Sequence, residues 1–63
     1  MLNYVKTILS KVSFDKALFE KELRKAISML VPVEVSELKK WCIEKFGHLY
    51  RRIISKCFVT AGY

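Results

Sequence analysis

Pro32 and Gly47 bracket a segment whose apolar residues recur at helical spacing, and this constrains the fold more than any other feature. Proline has no N–H to donate and pre-sets its own φ, so it suits the first turn of a helix. The residue before it avoids the α conformation. Val31-Pro32 therefore predicts the end of one helix and the start of another. Glu34 and Glu37 suit the positive end of the new helix, and Leu30 and Val35 are spaced as a hydrophobic staple across the junction. Val35, Leu38, Cys42 and Phe46 share one side, with Trp41 and Ile43 on its shoulders. Lys45 in the last turn and Gly47 just beyond it predict the stop.

The remaining segments follow the same period. Leu2, Val5, Ile8, Leu9 and Val12 form one face of a first helix over about 2–12. Ser13 is placed to cap a second helix over about 14–30, with Val12 and Ala17 as its staple and Asp15 in its first turn. This second helix carries two apolar groups. Phe19, Leu23, Ala26, Ile27 and Leu30 lie on one side, and Phe14, Ala17, Leu18 and Met29 on the other. A helix with two such faces packs on both sides within the fold, or offers one of them to another chain. A fourth helix over about 48–58 presents Leu49, Ile53 and Cys57, extended by Tyr50 and Ile54. The tail, Val59–Tyr63, has no period and is expected to fray.

Two glycines, one proline and no Asn-Gly or Asp-Gly pair argue against hairpins. With links this short, consecutive helices must be neighbours. The expectation is a single all-α domain, a small orthogonal bundle of three to four helices.

At 63 residues the chain can bury only part of its surface, while 52% of its residues are hydrophobic, enough for a core and some surplus. The longest charge-free run is Ala26–Val33, far short of a membrane span, and Lys6 and Lys11 interrupt the N-terminal apolar stretch where a secretory signal would be continuous. Cys42 and Cys57 are too few for a disulfide scaffold and read as buried free thiols of a reducing cytoplasm.

Twelve Lys and Arg against six Asp and Glu give a net charge of +6, which suits an acidic protein, a nucleic acid or an anionic membrane surface. Cys42, Phe46, Gly47 and Ile53 give the region 33–58 a spacing that resembles a helix-turn-helix DNA-binding unit, with Ile43, His48 and Lys56 departing from its pattern. That resemblance implies nucleic-acid contacts from Arg51 and Arg52, with Lys45 and Lys56 on phosphates. The short cationic chain of amphipathic helices is also similar to leaderless bacteriocins, which implies activity at a membrane surface.

Chemistry-bearing residues do not assemble into a catalytic pattern. Ser13 to Lys16 and Ser36 to Lys39 read Ser-x-x-Lys, but the large domain and further motifs that penicillin-binding enzymes need are missing. Cys42, His48 and Cys57 are one ligand short of a structural zinc site. No cofactor and no small-molecule substrate is expected. The leading expectation is a non-enzymatic interaction module that binds a protein partner or itself, using Trp41, Phe14, Leu18 and Met29.

Overall fold

The computed structural model describes all residues, 1–63, as a small all-α bundle. Helix α1 spans Leu2–Val12, α2 spans Lys16–Met29 and α3 spans Pro32–Thr60. Fourteen buried residues form one core, and none of them is polar or charged. Val5 and Leu9 come from α1, Phe19, Leu23, Ala26 and Ile27 from α2, and Leu30 from the junction after it. Helix α3 supplies Val35, Leu38, Cys42, Ile53, Ile54, Cys57 and Phe58.

The start of α3 follows its sequence. Pro32 occupies the first turn after extended Val31, and the Val31 N–H points to the Glu34 carboxylate at 3.4 Å. Leu30 and Val35 both enter the core. The start of α2 differs from expectation. Asp15, not Ser13, is the cap: its carboxylate accepts from the Leu18 N–H at 3.1 Å. A carboxylate at the positive end of a helix gains from the dipole as well as from the hydrogen bond. The Ser13 hydroxyl instead donates to the Ser10 carbonyl at 2.9 Å and closes α1.

The expected stop at Gly47 is not there. Helix α3 runs through Gly47 and leaves helical geometry only at Tyr50, with φ −124° and ψ 31°. A single glycine costs a helix interior only about 1 kcal/mol relative to alanine. The apolar stripe Leu38, Cys42, Phe46, Tyr50, Ile54 and Phe58 continues across it at steps of one turn, and burying that stripe outweighs the glycine. The helix-turn-helix unit with its turn at Gly47 is therefore not formed. Leu49, expected on the inner face, is 63% exposed because the stripe passes through Tyr50 instead.

At Tyr50 the chain turns sharply. A straight helix of 29 residues would be roughly 43 Å long, yet the longest dimension of the molecule is 26 Å. Past the elbow the second leg returns beside the first, so that the Lys39 ammonium reaches the Tyr63 backbone oxygen at 3.5 Å. Tertiary contacts hold the elbow. The Tyr50 ring lies 4.9 Å from that of Phe19, and its hydroxyl donates to the Ser13 carbonyl at 2.7 Å. Phe46 meets Phe19 edge-on at 5.1 Å, and Trp41 meets Phe46 at 5.5 Å. Removing the hydroxyl should unclamp the elbow from the α1–α2 turn. Tyr50→Phe is expected to cost about 1 kcal/mol and to lower the melting temperature by about 4–8 °C. An unchanged melting curve would mean that the hydrogen bond contributes nothing.

Helix α3 extends into the tail residues, and a glycine cap closes it there. Val59 and Thr60 are helical, and Gly62 has φ +88°, the left-handed conformation that glycine adopts without a Cβ clash. The Tyr63 N–H then donates to the Phe58 carbonyl at 2.8 Å, and the Gly62 N–H to the Val59 carbonyl at 3.0 Å. This is a Schellman cap, and Gly62 is the glycine that ends α3.

Candidate functional site

The two apolar groups of α2 have opposite fates. Phe19, Leu23, Ala26 and Ile27 are buried. Phe14 is 80% exposed, Leu18 40% and Met29 51%. Leu18 and Met29 fall within roughly 20° of one another around the axis of α2, while Phe14 lies in the turn before the capping Asp15 rather than on the helix. The folded chain leaves all three partly or largely open to solvent, with Met29 at the edge of the groove beside α1. Lys21 and Lys25, both exposed, stand on the same side.

Trp41, grouped with these residues on sequence grounds, is elsewhere. It is half-buried on α3, packed edge-on against Phe46, with the Lys6 ammonium 5.8 Å from its ring. Its place is taken by Tyr4, which sequence reasoning missed. Tyr4 is exposed on α1 and lines a groove of about 170 Å³ between α1 and α2, together with Ile8, Glu22, Lys25 and Met29. The helical period places Tyr4 outside the core-facing residues of α1, but only the pairing of α1 with α2 sets it beside Met29.

The basic residues also divide. Arg51 and Arg52 are exposed on the first turn after the elbow and line an open depression of about 320 Å³. Lys16, from the start of α2, and His48 line it too. Lys45 and Lys56 are exposed but do not line it. The sequence shows Arg51 and Arg52 as neighbours, whereas bringing in Lys16 requires the elbow to dock against the α1–α2 turn. One ion pair exists in the chain, Arg24 with Glu20 at 3.0 Å within α2, so the cations of the depression have no carboxylate partner.

The interior offers little chemistry. Cys42 and Cys57 are free and buried. Burial, reinforced by the neighbouring Cys57, pushes the Cys42 thiol up to about 12, while Lys6 pulls weakly the other way. Burial also raises Cys57, against the opposing pull of the Arg24 guanidinium. Both sulfurs are therefore protonated at neutral pH, which makes them poor nucleophiles and poor metal ligands. No three His, Cys, Asp or Glu side chains converge as a metal site would need. No helix is long and apolar enough to cross a membrane. Comparison of the chain with protein-family models, with curated proteins and with solved structures finds no match.

Proposed function

We propose that this protein is a small non-enzymatic interaction module that binds an acidic protein partner along the outer side of α2. One observation carries the proposal: Phe14, Leu18 and Met29 are large apolar residues that the folded chain leaves exposed along α2 and the turn before it. Exposed apolar residues gathered on one face mark interaction surfaces more often than residues scattered singly do. Phe14 and Met29 are the anchors, and Tyr4 extends this surface onto α1.

Charge selects between a foreign partner and a second copy. The chain carries +6, and Lys21 and Lys25 stand among the apolar anchors. A two-fold contact along α2 would set these lysines against their own copies, whereas an acidic helix or strand would neutralise them. The two free thiols suit a reducing compartment such as the cytoplasm.

A photo-crosslinking amino acid placed at Phe14, with Lys40 on α3 as the control site, tests this in the cells that make the protein. The expected product forms from position 14 only, contains a different protein crosslinked through an acidic segment, and is lost in the K21E/K25E variant. A product with twice the mass of the chain, 7.4 kDa, would replace the proposal with self-association. Crosslinking to nucleic acid or lipid, or equal yields from both positions, would overturn it.

A further inference from the structure

We propose that the depression at the elbow is a binding site for a phosphomonoester group. This inference is independent of the α2 surface and uses different residues. Lys16 faces the depression from one element, and His48, Arg51 and Arg52 from another. No Asp or Glu lines it, and none of its cations belongs to the chain's one ion pair. Three full positive charges around one concavity are matched poorly by a single carboxylate and well by a dianion with three acceptor oxygens. The guanidinium groups of Arg51 and Arg52 each present a planar fork suited to phosphate, and Lys16 adds a point charge from the opposite wall. Leu49 and Ile53 supply apolar surface for the organic part of the ester.

Gly47 gives a second, separate reason. It lies in helical geometry, where alanine is favoured over glycine. Packing does not require the glycine: a Cβ placed there would meet only the Ile43 Cγ2 atom, at 3.7 Å, an ordinary contact. Gly47 is one of the residues that line the depression, so the position that forgoes helix stability is part of its wall.

The test is a titration of the full chain with inorganic phosphate, followed by amide chemical shifts at constant ionic strength. Acetate serves as the control anion. The expected result is saturable change confined to residues 47–53 and Lys16, absent with acetate. The R51Q/R52Q variant, substituted at exposed positions and checked for fold by circular dichroism, should bind about tenfold or more weakly, since charge-assisted hydrogen bonds are lost. Gly47→Ala separates a binding role from a structural one, because it should melt at a higher temperature and yet bind phosphate several-fold more weakly. Vesicles of phosphatidic acid form a further arm: binding to both probes places the same group on a lipid headgroup as well as free in solution. Linear shifts spread over all lysines, or wild-type affinity in R51Q/R52Q, would overturn the site. So would binding to the vesicles alone, which would show surface adsorption in place of a pocket.

Discussion

Replacing Phe19 by alanine is expected to remove about half or more of the stability of the fold, a loss of about 3–5 kcal/mol. Phe19 is completely buried, and its ring is the one that both Phe46 and Tyr50 pack against. Truncating a buried phenylalanine costs about 3–5 kcal/mol, from lost transfer energy and from the cavity that remains. Domains have about 0.05–0.15 kcal/mol of stability per residue, so a chain of this length has on the order of 3–9 kcal/mol to lose. The loss here is compounded because the elbow has no other aromatic partner in α2. Urea unfolding followed by Trp41 fluorescence measures it, since Trp41 is the only tryptophan and packs on Phe46. Phe14→Ala, at an 80% exposed site in the turn just before the same helix, is the control and should change stability by less than about 0.5 kcal/mol. A Phe19→Ala protein with a cooperative transition within 1 kcal/mol of wild type, on the order of a single exposed-site change, would refute this account of the core.

Alkali should destabilise the fold progressively above about pH 9. The Cys42 thiol titrates near 12 in the folded chain against an ordinary value of 9.0. Between those limits the folded state keeps the proton and the unfolded state has lost it. The unfolded state then binds fewer protons, so stability falls as pH rises, and it is fully present below about pH 9. The slope is about 1.4 kcal/mol per pH unit, or about 2 kcal/mol by pH 10.5. Cys57 acts in the same direction. Urea midpoints at pH 8 and pH 10.5, under reducing conditions, should differ more for wild type than for Cys42→Ala, whose absolute stability is lower but whose pH slope is shallower. Equal slopes in the two proteins would rule out the thiol as the cause.

The parts of the fold legible in the sequence are those fixed by local chemistry. Pro32 announces its helix because its ring allows little else. The buried side of α2 follows from the spacing of Phe19, Leu23, Ala26 and Ile27, whereas the spacing of Phe14, Leu18 and Met29 leaves open whether the fold covers them. Capping at Asp15 is not separable from capping at Ser13 in the sequence, because aspartate and serine are about equally good caps. The elbow was not legible. Gly47 looks like a stop because glycine usually is one, and only the unbroken stripe from Leu38 to Phe58 argues against it. The bend at Tyr50 depends on the Ser13 carbonyl and the Phe19 ring, which lie far away in the chain. One of the three cations of the basic cluster is hidden for the same reason, since Lys16 joins Arg51 and Arg52 only once the elbow has docked.

Because no buried residue is polar, nothing in the interior demands a particular partner atom. Volume and shape alone decide what fits, so Leu, Ile, Val and Met can trade places there at small cost if the total is kept. Such a chain can drift extensively inside while a few outer positions stay pinned. These are Pro32, the capping Asp15, Tyr50 opposite the Ser13 carbonyl, and Gly62 in its left-handed turn. The course of the backbone thus rests on a handful of individual residues, whereas the core rests on a total volume and shape.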